Sequence, residues 1–194
     1  MTSAPDANAA TALDRGTSPY STKEKIGRLL WDTLGQRVFR CTFHTWYGLR
    51  ASILRAFGAT IAGNTRIRAT VRVEIPWNLT VGTNSSIGDR ATLYCLGPVT
   101  LGDNVSISQN AHICAGTHDF TKPDLPLLRP PITIEDDAWI AADAFVGPNI
   151  TVGRGAILGA RGCAFKDLDP WTIYGGNPAK AIAERPRFSD ENQA

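Results

Sequence analysis

Residues 101–120 read LGDNVSISQNAHICAGTHDF. Leu101, Ile107 and Ile113 stand six apart, and each is followed at the fifth position by a small residue, Val105, Ala111 or Thr117. A period of six suits neither an amphipathic helix, whose apolar face recurs at three and four, nor a long alternating strand. It suits short flat strands joined by tight corners. The aliphatic residue points inward, the small residue fits where the chain crowds its neighbours, and Asn104 and Asn110 at the fourth position permit a left-handed backbone at each corner. The stretch ends on His118, where the rhythm stops.

Working outward, the same phase marks Ile61, Ile67 and Val73, then Val81, Ile87 and Leu93. It returns after the break at Ile134, Ile140, Val146, Val152 and Leu158, which makes fourteen hexads. The fifth position is Ser, Thr, Ala, Val or Gly in twelve of them, with Trp77 and Ile150 the exceptions. Glycine holds the second position at Gly82, Gly88, Gly102, Gly147, Gly153 and Gly159. Asn, Asp or Gly recurs at the fourth, as at Asn64, Asn84, Asn104, Asn110, Asp137, Asp143, Asn149 and Gly155. Three such faces close one coil, so the spacing predicts an all-β domain over 61–169, a parallel β-helix of about five stacked coils. Slips of two residues before Val81 and before Leu101 predict longer corners. Residues 119–131, with Pro123, Pro126, Pro130 and Pro131, predict an extruded loop kept out of strand pairing.

The flanks differ. Residues 1–20 carry almost no large apolar side chains and read as a disordered tail. Residues 21–60 read as a helical segment, with Ile26, Leu29, Leu30, Leu34 and Val38, then Leu49, Ile53, Leu54 and Phe57, at helical spacing, ending at Gly58. Residues 22–58 sum to +5 and hold Trp31, Phe39, Phe43, Trp46 and Tyr47. Either this is a helical pair packed on the main domain with a solvated basic face, or it makes peripheral contact with an anionic membrane. Residues 170–194 read as a C-terminal cap and tail.

Bulk properties exclude some classes. A net charge of +2 is too small to argue for a nucleic-acid partner. Cys41, Cys95, Cys114 and Cys163 form no C-x-x-C pair, which points to buried thiols in a reducing compartment, with neither a zinc site nor a dithiol pair. The N-terminus lacks the charged and apolar regions of a secretory signal. No apolar run is long enough to cross a membrane, so the expected location is cytoplasmic.

The motifs PWNLTVG (76–82), LGDNVSISQNAHICAGTHDF, WIAADAFVGPNITVGRGAILGA (139–160) and WTIYGGNPAK (171–180) resemble the hexapeptide-repeat acyltransferases. Arg50–Ala59 resembles their lead-in helix. Within the superfamily the chain looks most like the sugar O-acetyltransferases, in the colanic acid biosynthesis subgroup. The resemblance implies a left-handed β-helix, a homotrimer, and acetyl-CoA as co-substrate in a groove between neighbouring prisms, with no metal required. It implies an acetyl group moved to a hydroxyl of a sugar or polysaccharide precursor. His118, just before the loop, would be the general base. Imidazole suits that task because its unperturbed pKa lies near neutrality, at about 6.5. Asp119 would orient it. Trp139, Ala142, Gly159 and Ala160 would line the pantetheine arm, and Lys166 and Lys180 would face the CoA phosphates. More distant members place an asparagine against the acceptor where this chain reads GDRATLYC (88–95), so Arg90 and Tyr94, with His112, are the acceptor candidates.

Three other readings stand beside this one. A metal enzyme of the γ-carbonic-anhydrase type needs three converging histidines, and the spacing of His44, His112 and His118 does not match. A non-catalytic scaffold, and an acetyltransferase for an amine or antibiotic, use the same repeat.

Overall fold

The computed structural model describes residues 18–187. They form a left-handed parallel β-helix of about six turns behind an N-terminal helical segment. Three parallel sheets make its three faces. The first stacks Thr60–Ile61, Leu79–Val81, Val99–Leu101, Ile132–Ile134 and Thr151–Val152. The second stacks Arg66–Ile67, Ser86–Ile87, Ser106–Ile107, Trp139–Ile140, Ile157–Leu158 and Thr172–Gly175. The third stacks Arg72–Val73, Thr92–Tyr94, His112–Cys114, Phe145–Val146 and Cys163–Ala164. All fourteen first-position aliphatics are buried in one core, and each such side chain contributes about 1.5–3 kcal/mol on burial. Ala164 adds a hexad that the aliphatic pattern passes over.

The corners follow the residue types. Asn64, Asn84, Asn104 and Asp137 stack along the edge between the first and second faces, with φ of 54–62°. Backbone bonds link them from coil to coil, as from Asn104 N–H to the Thr83 carbonyl at 2.8 Å. Arg90, Asn110, Asp143 and Arg161 do the same along the next edge, with φ of 57–59°. The third edge takes every insertion: the turn Pro76–Asn78, residues 96–98, and the loop after His118. Repeats continue past the boundary expected at 169, because Thr172–Gly175 still pairs in parallel with Ile157–Leu158. Lys180–Glu184 then pairs antiparallel to it and covers that edge.

The first coil has no coil above it, so the carbonyls of Ile61, Ile67 and Val73 lack the N–H groups that serve later coils. The helical segment supplies them, with a donor side chain for each face and a second, Gln36 Nε2 at 3.5 Å, on Val73. Arg55 donates to Ile61 at 2.9 and 2.7 Å. Arg50 Nε donates to Ile67 at 2.6 Å. Trp31 Nε1 donates to Val73 at 2.7 Å. Helix α1 (Thr22–Leu30) starts at a Ser21–Glu24 capping box and runs through a π-turn, Trp31–Gly35, into α2 (Gln36–Arg40). Helix α3 (Tyr47–Ala56) lies over the first coil. A Cβ on Gly35 would meet the Phe57 ring at 2.8 Å, and one on Gly27 would meet Trp77 at 3.0 Å, so glycine lets the helix approach.

The segment packs on the prism, in α3 through the expected Leu54 with Ile53 and Phe57 beside it, but in α1–α2 not through the expected residues. Trp31, Gly35 and Phe39 are buried, while Ile26, Leu29, Leu30, Leu34 and Val38 face outward. Helical periodicity marks an apolar stripe, and it does not say which face turns inward. The span read as a tail falls outside the described residues up to residue 17. Tyr20, within that span, is ordered, with its ring beneath the guanidinium groups of Arg28 (4.5 Å) and Arg129 (5.2 Å). Among the described residues, no helix is long and apolar enough to cross a membrane.

Candidate active site

The edge that collects insertions builds the site. Asn78 starts it by donating its carboxamide N–H groups to the carbonyls of Cys95 (3.1 Å) and Leu96 (2.8 Å). Gly97 N–H then donates to the Ala115 carbonyl at 2.8 Å, which sets the next turn down. From there the chain leaves the prism as a hairpin, with Thr117–His118 antiparallel to Leu127–Leu128. His118 is exposed on the outgoing strand.

Nδ1 of His118 lies 2.6 Å from the Leu125 carbonyl oxygen. A carbonyl can only accept, so Nδ1 carries the proton, and Nε2 of the neutral ring keeps its lone pair. Leu125 holds a left-handed conformation, φ 50°, uncommon for a branched side chain, and this aims its carbonyl back at the ring. Asp119 does not take the orienting role expected for it. Its Oδ1 accepts from Thr121 N–H (3.1 Å) and Thr121 Oγ1 (2.6 Å), and its Oδ2 lies 3.7 Å from Lys122 Nζ. Those Thr121 bonds, with Lys122, hold its carboxyl below the usual carboxylate range. Asp119 therefore stiffens the loop, and a backbone carbonyl orients the ring. The returning strand is tied to α1 by Arg129, whose Nη1 meets Glu24 Oε1 at 3.1 Å.

Of the acceptor candidates, Tyr94 and His112 come together and Arg90 stands apart. Arg90 sits on the edge between the second and third faces, and its Nε donates to Asn110 Oδ1 at 2.9 Å. Tyr94 ends the same strand at the opposite edge, 3.3 Å from where a Cβ on Gly116 would lie, beside the hairpin root. Burial, and then the charge of Glu74, raise its pKa. His112 lies mid-face, edge-on to Tyr94 (6.2 Å, 88°) and Phe145 (5.5 Å, 83°). Its Nε2 is buried with no hydrogen-bond partner among the described residues. Burial, with the nearby Arg72 charge, lowers its pKa.

The second face carries a groove of about 820 Å³ lined by Arg66, Arg68, Ser86, Ser106, Trp139 and Arg185 among others. Trp139 is 43% exposed there, with its indole N–H on Ser108 Oγ at 2.9 Å. Ala142 and Gly159–Ala160 stack on the edge that follows, linked by Arg161 N–H to the Ala142 carbonyl at 2.9 Å. A Cβ on Gly159 would stand 3.0 Å from the Tyr174 carbonyl oxygen, so a side chain there would crowd that backbone. Lys166 is exposed on the His118 edge two coils further on, and Lys180 is exposed at the start of the last strand. The expected residues thus fall into two groups, His118 with Lys166 on one edge, and Trp139, Ala142, Gly159 and Ala160 on another face and edge. Leu125, Ser108 and Arg129 escaped the sequence reading. A carbonyl acceptor has no side-chain signature, and the other two matter only through partners distant in sequence. Among the described residues, no cluster of His, Cys, Asp and Glu could hold a metal ion.

No protein-family model matches the chain. Over 156 residues it is 39% identical to a protein of Escherichia coli strain K12 named colanic acid biosynthesis acetyltransferase WcaF, covering 80% of this chain and 86% of that one. A chloramphenicol acetyltransferase of Escherichia coli is 50% identical over 58 residues, which is 30% of this chain and 27% of that enzyme. A solved galactoside acetyltransferase in complex with coenzyme A superposes with a TM-score of 0.79 at 24% identity, over 89% of this chain and 90% of its own.

Proposed function

Because the chain belongs to the colanic acid biosynthesis acetyltransferase family, we propose that it moves an acetyl group from acetyl-CoA to a hydroxyl of a sugar or polysaccharide precursor, with His118 as general base. The observation that carries the reading is the bond from Nδ1–H of His118 to the Leu125 carbonyl, which leaves Nε2 free to accept a proton. The acceptor oxygen attacks the thioester carbonyl carbon while Nε2 takes the hydroxyl proton. The C–O bond forms and the carbonyl pair moves to oxygen. Collapse of that adduct breaks the C–S bond, and the proton on Nε2 passes to the departing thiolate. The ring ends as it began, and no covalent enzyme intermediate is formed. General-base catalysis of this kind contributes about 10²–10⁴ in rate.

Acetyl-CoA fits the second face. Its thin pantetheine arm can lie against Ala142, Gly159 and Ala160, with Trp139 alongside, and Lys166 and Lys180 supply cations for its phosphates. Within one prism Trp139, Ala142, Gly159 and Ala160 lie on another face and edge from His118 and Lys166. Three copies about a threefold axis would bring the His118 edge of one to the second face of the next. The homotrimer rests on that split.

The carrying experiment is acetyl-CoA turnover, read as free thiol, across sugars, nucleotide sugars, amines and chloramphenicol. Turnover with sugar hydroxyls supports the reading. The 58-residue chloramphenicol acetyltransferase match favours a second one, a small antibiotic hydroxyl as acceptor, and turnover with that compound alone would select it. A protein that binds no CoA would be a scaffold.

A further inference from the structure

On the outer side of α1–α2, Ile26, Leu29, Leu30, Leu34 and Val38 are 47–62% exposed, in one stripe opposite the buried Trp31, Gly35 and Phe39. The chain continues into Phe43 and Trp46, 57% and 54% exposed, with rings 6.2 Å apart. Lys23, Lys25, Arg37 and Arg40 flank the stripe, all exposed, and none forms an ion pair among the described residues. Glu24 is turned away onto Ser21 and Arg129, which leaves Asp32 as the one exposed acid along the helix. Between α1 and the prism lies a groove of about 650 Å³ lined by Lys23, Ile26, Leu30 and Trp77 among others.

We propose that this face docks on an anionic lipid bilayer. A water-exposed apolar stripe with a cationic border and aromatic side chains at one end is the composition of a helix lying in the membrane interface. The groove beside Trp77 can take part of an acyl chain. Charge selects the occupant. Residues 22–58 sum to +5 in a chain whose total is +2. A second copy seated on the stripe would set its own four cations against these four, whereas anionic headgroups neutralise them. Docking does not depend on the acyl-transfer reading, and the two have separate readouts.

The test is co-sedimentation of the full chain with vesicles of phosphatidylcholine alone or mixed with phosphatidylglycerol, at low and high salt. Wild type should partition onto the mixed vesicles at least about tenfold more strongly and come off at high salt, where headgroup attraction is screened. Leu29→Glu/Leu34→Glu should lower partitioning about tenfold or more, with unchanged melting temperature and unchanged thiol release on a soluble acceptor. Arg37→Gln/Arg40→Gln should weaken binding and flatten its salt dependence. Wild type left in the supernatant with mixed vesicles overturns the proposal, as does binding indifferent to headgroup charge. A Leu29→Glu/Leu34→Glu variant that elutes as a smaller assembly also overturns it, because the stripe is then an interface between copies.

Discussion

Replacing Arg50 by Met should uncap one face of the β-helix. Arg50 is fully buried, and its guanidinium serves the carbonyls of Ile67 (2.6 Å), Phe43 (2.8 Å) and His44 (2.7 Å) and the Thr42 hydroxyl (2.8 Å). Methionine fills similar volume and donates nothing. Phe43 and His44 are exposed residues, so their carbonyls can turn to water. Ile67 and Thr42 are buried, but the Thr42 hydroxyl still donates to the Phe39 carbonyl at 2.8 Å, so one orphaned acceptor, the Ile67 carbonyl, puts the loss at about 2 kcal/mol. Swapping a whole buried polar network for apolar side chains can be neutral, but here only the donor is removed. At about 2–4 °C per kcal/mol for a chain of this size, the melting temperature should fall by roughly 4–8 °C. Arg50→Lys keeps the charge and loses the fork, and should land between the two. Circular-dichroism melts of the three proteins decide it. If Arg50→Met melts within about 2 °C of wild type, carbonyl capping by the helical segment does not hold the first coil.

Three further outcomes follow from the same packing. Cys95 is fully buried, with its thiol pushed up to about 11, and Cys41 is exposed, so a thiol reagent should label Cys41 in the native protein and reach Cys95 only on unfolding; early labelling of Cys95 would contradict the core described here. Burial lowers the pKa of His112 below the ordinary imidazole value of about 6.5, so the unfolded chain binds the extra proton. Its stabilising contribution is present above that value and is lost as pH falls below it. His112→Phe, set between Tyr94 and Phe145, should therefore flatten the drop in melting temperature between about pH 7 and pH 5, and an unchanged slope would assign the acid sensitivity elsewhere. Deleting the helical segment opens the first coil on all three faces, so the truncated chain should associate through strand addition; a well-behaved, soluble product on gel filtration would count against the cap.

Much of the fold is legible in the sequence because each hexad position does one physical job. Asn, Asp and Gly at the fourth position are where the backbone turns left-handed, and every one of those eight positions has positive φ. Arg90 and Arg161 adopt the same φ and could not be read that way, since stacking on neighbouring corners overrides their own preference. The edge caps were out of reach for a different reason. Arg50, Arg55 and Trp31 look like a basic and aromatic helix until the open carbonyls beneath them are seen. The stripe from Ile26 to Val38 was legible as a stripe, while its outward direction depends on Gly27 and Gly35 letting the opposite face approach. At the candidate site, the break in rhythm marks His118 as the proposed base. Nothing marks its orienting partner, because Leu125 acts through its backbone.

Whether Nε2 of His118 takes the acceptor proton is tested by turnover of His118→Ala beside wild type, with CoA affinity measured on both. The expected result is unchanged CoA binding with thiol release lower by about 10²–10⁴. A variant that binds CoA and turns over the acceptor at the wild-type rate would show that His118 is not the base.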